Sequence, residues 1–146
     1  MTSQPFTNST ASNTNTRKPS LLRTALRVDS FVSGLAGAGL LALTSAFIDL
    51  TGIDNQGLLT VVGLSFILWA ALLMAISLRH EIPVRVVRAI AIGNIVWALG
   101  SWALAIADPL NLTVAGGWVI LLQGDLVLGF GIAQWIGLRR LEKNRG

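Results

Sequence analysis

The sequence predicts an all-α membrane protein, a bundle of four transmembrane helices with both termini in the cytoplasm. Three observations support this fold class. Of the 146 residues, 53% are hydrophobic and only 12% are charged. The apolar residues form four long runs, each able to cross the roughly 30 Å hydrocarbon core as a helix. The basic residues all fall on one side of the resulting path across the bilayer.

The four apolar runs are separated by residues that favour turns. The first break holds glycines, Asn and Asp, the second holds Pro83, and the third holds Asp108 followed by Pro109. The runs are continuous and rich in Leu, Ala, Ile and Gly, which favours helices over the alternating strands of a membrane barrel. The predicted spans are residues 31–48, 58–78, 86–107 and 112–138.

The first 20 residues differ in composition from the rest of the chain. They are rich in Ser, Thr and Asn and show no apolar period. This composition predicts a disordered polar cytoplasmic tail over 1–20, followed by a transmembrane domain over 21–146. A cleaved signal peptide is the alternative interpretation, although the polar start is long for one.

The placement of the 11 Lys and Arg residues predicts the orientation. Basic residues precede the first span, surround the middle loop and follow the fourth span. The two other loops contain no basic residue and three acids, Asp49, Asp54 and Asp108. By the positive-inside rule the basic side is the cytoplasm, so we expect a multi-pass protein of the inner (plasma) membrane. Its surroundings are then the lipid bilayer, and nucleic acid is not an expected partner.

The sequence lacks the residue sets of common catalytic sites. There is no Cys, which excludes thiol redox chemistry and thiolate metal sites. The single histidine, His80, lies in the middle loop and cannot supply the paired axial ligands of a membrane haem. No phosphate-binding loop or zinc-protease motif is present. We therefore expect no enzyme activity, no metal ion and no cofactor.

One carboxylate lies near the middle of a predicted span. Asp125 occupies a position where an ionised group costs about 2.5 to 3.5 kcal/mol on insertion scales, which makes it a candidate functional residue. At about 1.5 Å per residue, Thr44, Ser65 and Ser101 fall at a similar depth. If all four face inward, Asp125 could donate to a hydroxyl or hold a proton or small cation. The alternative is a protonated carboxyl satisfied by packing within the bundle.

A second group of polar residues lies nearer the basic side. Interhelical hydrogen bonds of this kind contribute about 0.6 kcal/mol each, and helix packing is their usual role. Because Asp29 follows Arg27 by two residues, we expect it to pair with an Arg side chain. The inner polar cluster consists of Asp29, Ser33, Asn94, Trp97 and Gln134.

Small and aromatic residues indicate packing surfaces. Gly117, Gly124 and Gly131 recur every seven residues in the fourth span and permit close helix contact, within one protomer or between two. Trp69 and Trp97 lie deep in their spans, where they either pack in the core or contribute to an aromatic cage for an organic cation.

Three motifs carry a family resemblance. They are Arg27-Val28-Asp29 with Ser33-Gly34, Gly93-Asn94-Ile95-Val96-Trp97-Ala98, and Gln134-Trp135-Ile136-Gly137-Leu138-Arg139-Arg140. With these motifs the chain resembles, over residues 21–140, a group of small bacterial four-span integral membrane proteins of unknown function. In that group an acid often lies two residues before the closing Gln, where this chain has Ile132. The resemblance implies a bacterial inner-membrane location.

Two function hypotheses follow from the sequence. The first is a non-enzymatic accessory or interaction protein that binds another membrane protein or forms a homo-oligomer, and it predicts tolerance of Asp125→Asn. The alternative is an oligomeric proton- or cation-coupled small-molecule carrier that uses Asp125, and it predicts loss of function. Small multidrug transporters, which are also four-span proteins, are similar to this chain in architecture. A third hypothesis, a lipid-modifying enzyme acting through Asp29, lacks a nucleophile or metal set.

Overall fold

The computed structural model describes residues 21–143, and this part of the chain is all-helical. Four of its five helices, all except α2, are long and apolar enough to cross a membrane, as the sequence predicts. The predicted tail over 1–20 lies outside the described residues. The helices are α1 (Leu21–Ala42), α2 (Thr44–Thr51), α3 (Gln56–Leu78), α4 (Val84–Ala107) and α5 (Val114–Lys143).

The first spanning helix begins ten residues earlier than the predicted span. Arg23 and Arg27 interrupt the apolar pattern there, so the sequence showed no uncharged run before Phe31. In the structure Leu22 and Leu26 are fully buried in a core shared with α3, α4 and α5. Burial of these side chains extends the helix past the charged positions, which lie on other faces.

The same helix also ends early, at a break in the predicted span. Leu43 has φ −119° and ψ 33°, which separates α1 from α2. The Thr44 hydroxyl donates to the carbonyl oxygens of Leu40 at 2.8 Å and Leu41 at 3.1 Å. A hydroxyl bonded to these carbonyls competes with the backbone amides and bends the helix. α2 then continues to Thr51 and ends at Gly52 with a left-handed φ of 79°.

The remaining three spans start within two residues of their predicted positions. The Asn55 side chain caps α3 by accepting from Leu58 N–H at 2.9 Å. Pro83 precedes α4, and Asp108 ends it in a left-handed conformation with φ 45°. Turn residues therefore separate the spans at the predicted breaks.

The helices pack as two pairs joined along one line. α1 packs along α3, α4 packs along α5, and α1 also contacts α5. By contrast, no Cα atom of α3 lies within 8 Å of a Cα atom of α4. We call this separation the α3–α4 gap. The contact within the first pair is close because a Cβ on Gly37 would lie 2.6 Å from the carbonyl oxygen of Gly63.

Charged side chains connect the helices at one end, which we call the basic end. The Arg23 guanidinium donates to the carbonyl oxygens of Ser77 at 2.6 Å and His80 at 2.8 Å. Arg88 and Glu142 form a half-exposed ion pair at 2.6 Å. The starts of α1 and α4 and the ends of α3 and α5 therefore lie at the same end.

At the opposite end, α2 packs on the start of α5. Thr113 N–H donates to the carbonyl oxygen of Thr51 at 2.9 Å. A Cβ on Gly116 would lie 2.7 Å from the Thr51 Cα and closer still to its carbonyl oxygen, whereas a Cβ on Gly117 would meet nothing within 4 Å. Only the first of these neighbouring glycines is needed for the contact.

Candidate functional site

Four polar side chains meet in the interior between α1, α4 and α5. Asp29 Oδ2 accepts from Asn94 Nδ2 at 2.9 Å and from Gln134 Nε2 at 2.6 Å. Asp29 Oδ1 accepts from the Ser33 hydroxyl at 3.1 Å. The Asn94 amide also donates to Gln134 Oε1 at 3.2 Å. We call this group the Asp29 cluster.

The backbone places these side chains within reach of one another. Ser33 lies one turn after Asp29 on α1, so the two side chains share a face. A Cβ on Gly131 of α5 would lie 3.2 Å from the Asn94 Cβ. This glycine brings α4 and α5 close enough for the Asn94 amide to contact both of its partners. The whole cluster is buried, with Asp29 1% exposed and Gln134 0% exposed.

Hydrogen bonds satisfy every buried polar side-chain atom of the Asp29 cluster and leave one lone-pair position of the Asp29 carboxylate without a donor. A carboxylate offers about four lone-pair sites. Oδ2 receives two donors and Oδ1 receives one. Every buried side-chain nitrogen and oxygen in the described part of the chain has a partner, so the arrangement is complete without a ligand. Oδ1 can nevertheless accept one further hydrogen bond.

A cavity of about 220 Å³ adjoins the cluster. It lies at the α3–α4 gap, where the rings of Phe66 and Trp97 contact each other edge to face with centroids 5.4 Å apart. Trp97 is 42% exposed, so the cavity reaches the outer surface of the helices. Its lining residues are Asp29, Ser33, Ser65, Phe66, Trp69, Gly93, Asn94, Trp97 and Val127.

The residues of the predicted inner polar cluster therefore lie together. Asp29, Ser33, Asn94 and Gln134 form the hydrogen-bonded group, and Trp97 lines the neighbouring cavity. The partners of Asp29 differ from those expected, because its hydrogen bonds come from amides and a hydroxyl instead of an Arg side chain. Residues two apart on a helix do not face each other, and Arg27 is exposed whereas Asp29 is buried.

The structure does not bring the four residues of the predicted mid-membrane layer together. The Thr44 hydroxyl donates to a carbonyl at the end of α1, and the Ser65 hydroxyl donates to a carbonyl of α3 one turn earlier. Ser101 donates to a carbonyl of α4 at 3.0 Å and also to a glutamine on α5 at 3.4 Å. Asp125 is exposed on the outer surface, where its Oδ1 accepts from Trp102 Nε1 at 3.0 Å. Equal depth did not place these side chains on facing surfaces.

Comparison with known protein families, with characterised proteins and with solved structures finds no match. No residue role can therefore be transferred from a relative. The features that bear on function are the Asp29 cluster, the adjoining cavity and the outward carboxyl of Asp125.

Proposed function

We propose that this chain is a non-enzymatic accessory protein of the bacterial inner membrane that binds another membrane protein through the outer face of α5. Its four spans form a bundle with cytoplasmic termini. The gathering of Arg23, Arg79, Arg88 and Arg140 near one end supports this orientation through the positive-inside rule. The observation that carries the proposal is the outward position of Asp125.

Asp125 occupies a position that lipid alone does not satisfy. It follows Val114, the first residue of α5, by eleven residues, and it precedes Arg139 by fourteen. At about 1.5 Å per residue these separations are about 16 Å and 21 Å, so Asp125 lies near the bilayer centre. An ionised carboxylate facing lipid at this depth costs about 2.5 to 3.5 kcal/mol. A partner group that donates to the carboxyl removes much of this cost.

The surroundings of Asp125 suit a helix that approaches closely. Leu122 is 63% exposed on the preceding turn, and Trp118 is 61% exposed one turn further. Gly129, one turn after Asp125, has open space where a Cβ would lie. A small residue beside a polar one is the pattern that permits helix association in membranes. We propose that the partner is a spanning helix with Lys or Arg at the depth of Asp125.

The outward position of Asp125 reverses the result that the accessory hypothesis predicts for Asp125→Asn. The sequence led us to expect that the protein tolerates this substitution, because it placed the carboxyl inside the bundle, where it would serve only packing. An outward carboxyl that contacts a cationic partner is needed for binding, so we expect Asp125→Asn to abolish association while insertion and folding remain normal.

Site-specific photocrosslinking in cells tests the proposal. A photoreactive residue replaces Leu122, and the matched control replaces Leu68, which is 71% exposed on α3. We expect a heterologous adduct from position 122 only, lost in Asp125→Asn, whose partner peptide contains a mid-span Lys or Arg. Replacing that basic residue by Asp and Asp125 by Lys should restore the adduct. Lipid adducts alone from position 122, or adducts indifferent to Asp125→Asn, would contradict the proposal.

The second candidate is the oligomeric proton- or cation-coupled carrier that uses Asp125. The same outward position favours it, because a second copy could cover this face and bring two carboxyls together. Two adjacent carboxyls share a proton instead of both ionising. An adduct from position 122 at twice the monomer mass, together with Asp125-dependent proton flux in proteoliposomes, would support this candidate over the accessory protein.

A further inference from the structure

We propose that the cavity beside the Asp29 cluster binds a small primary ammonium ion that carries one apolar group. The cavity is lined by residues of α1, α3 and α4 and by Val127 of α5. The proposed partner contacts the outer face of α5, and the test of the cavity does not depend on it. The cavity combines a buried carboxyl, aromatic side chains and a limited volume.

The Asp29 carboxyl supplies a hydrogen-bond acceptor and, when ionised, the negative charge that attracts a cation. Asp29 and Ser33 both line the cavity, and Asp29 Oδ1 receives only the Ser33 hydroxyl at 3.1 Å. The open acceptor position on this oxygen suits an N–H donor. The amides of Asn94 and Gln134 occupy Oδ2 and hold the carboxylate in place. A ligand that donates to Oδ1 therefore leaves the other hydrogen bonds of the cluster intact.

Three of the residues that line the cavity are aromatic. They are Phe66, Trp69 and Trp97, and the Phe66 and Trp97 rings meet edge to face at an interplanar angle of 64°. The faces of aromatic rings attract cations within about 6 Å, and tryptophan does so most strongly. A carboxylate and aromatic rings that line the same cavity favour a cation with apolar surface. The carboxylate repels an anion, and a neutral molecule gains nothing from its charge.

The volume limits the ligand to a small molecule. An engineered apolar cavity of about 150 Å³ holds benzene. The cavity here measures about 220 Å³, which leaves room for one ring and an ammonium group. Access is through the α3–α4 gap, where the lining residue Trp97 is partly exposed at the outer surface.

Benzylammonium binding to the full-length protein in lipid nanodiscs tests the proposal. Calorimetry measures its affinity, and tryptophan fluorescence reports on the cavity wall. Benzyl alcohol is the neutral control of the same size. We expect benzylammonium to bind at least tenfold more tightly than benzyl alcohol, and Asp29→Asn to weaken benzylammonium binding at least tenfold without changing the affinity for benzyl alcohol.

A second pair of variants tests the site without disturbing the cluster. Gly93→Leu fills the cavity, and its Cβ meets only the end of the Trp69 ring, at 3.6 Å. Gly100→Leu makes the same change on α4 where a Cβ meets nothing within 4 Å. We expect only Gly93→Leu to abolish benzylammonium binding.

Three results would overturn the proposal: no benzylammonium binding by the folded protein, equal affinity for benzyl alcohol, or equal loss in Gly93→Leu and Gly100→Leu. If Asp29→Asn does not fold, the comparison of the two ligands and the glycine pair decide the outcome. The proposal is supported if Asp29→Asn and Gly93→Leu both lose benzylammonium binding and Gly100→Leu keeps it. None of these measurements involves Asp125, so failure here is distinguishable from failure of the proposed accessory function.

Discussion

Replacement of Gln134 by Leu is the most direct test of the Asp29 cluster. The two side chains are similar in size, so the substitution removes the hydrogen bonds of Gln134 and largely keeps its volume. Gln134 is fully buried, donates to the Asp29 carboxylate at 2.6 Å and accepts from the Asn94 amide at 3.2 Å. Leu at this position leaves both partners with one hydrogen bond fewer.

The size of the effect follows from these two bonds. Interhelical hydrogen bonds in membranes average about 0.6 kcal/mol and reach about 1.7 kcal/mol, and those to charged groups lie at the upper end. We therefore expect Gln134→Leu to lower the free energy of unfolding by about 2 kcal/mol. Gln123 provides a matched control on the same helix. It accepts only one long bond from Ser101, at 3.4 Å, and Ser101 keeps its bond to a carbonyl.

Reversible unfolding in mixed micelles, followed by circular dichroism as the denaturing detergent increases, measures both variants. Gln123→Leu should change the free energy of unfolding by less than about 0.5 kcal/mol. Equal destabilisation by the two substitutions, or none by Gln134→Leu, would refute the view that the Asp29 cluster holds α1, α4 and α5 together.

Two further predictions concern the helices around the site. Gly116→Ala should lower the free energy of unfolding by about 1 to 3 kcal/mol because its Cβ meets the backbone of α2, whereas Gly117→Ala should leave it unchanged or raise it by up to about 1 kcal/mol. The same detergent titration measures this pair, and equal effects would contradict the α2–α5 contact. Thr44→Val keeps the side-chain shape and removes the hydroxyl, so if the hydroxyl causes the break, the helix should straighten at Leu43 and the backbone amides there should exchange hydrogen more slowly. Unchanged exchange would show that the hydroxyl is not the cause of the break.

The sequence was sufficient to predict the four spans because apolar runs and turn residues are local signals. It was less informative where a helix carries charges on one face. Arg23 and Arg27 interrupt the apolar run, so the predicted span did not include the first turns of α1, although Leu22 and Leu26 are buried there. The break at Leu43 was also missed, since Leu43 and Thr44 are neither proline nor glycine and the sequence gives no local signal of a break there.

The sequence predicted which residues form the candidate site better than it predicted how their side chains are arranged. Asp29, Asn94 and Gln134 were grouped by depth near the basic side, and they contact one another. Depth alone failed for Asp125, because the direction of a side chain around the helix axis depends on which neighbours that helix packs against. The cavity could not be foreseen, since it exists only because α3 and α4 remain apart.

The separation of α3 from α4 determines how the two helix pairs are joined. The α1–α3 pair meets the α4–α5 pair mainly where α1 contacts α5. The hydrogen bonds from Asn94 and Gln134 to Asp29 cross from the second pair to the first at this contact. One carboxylate therefore links the two halves of the bundle, because it lies on the first pair and accepts both of its amide hydrogen bonds from the second.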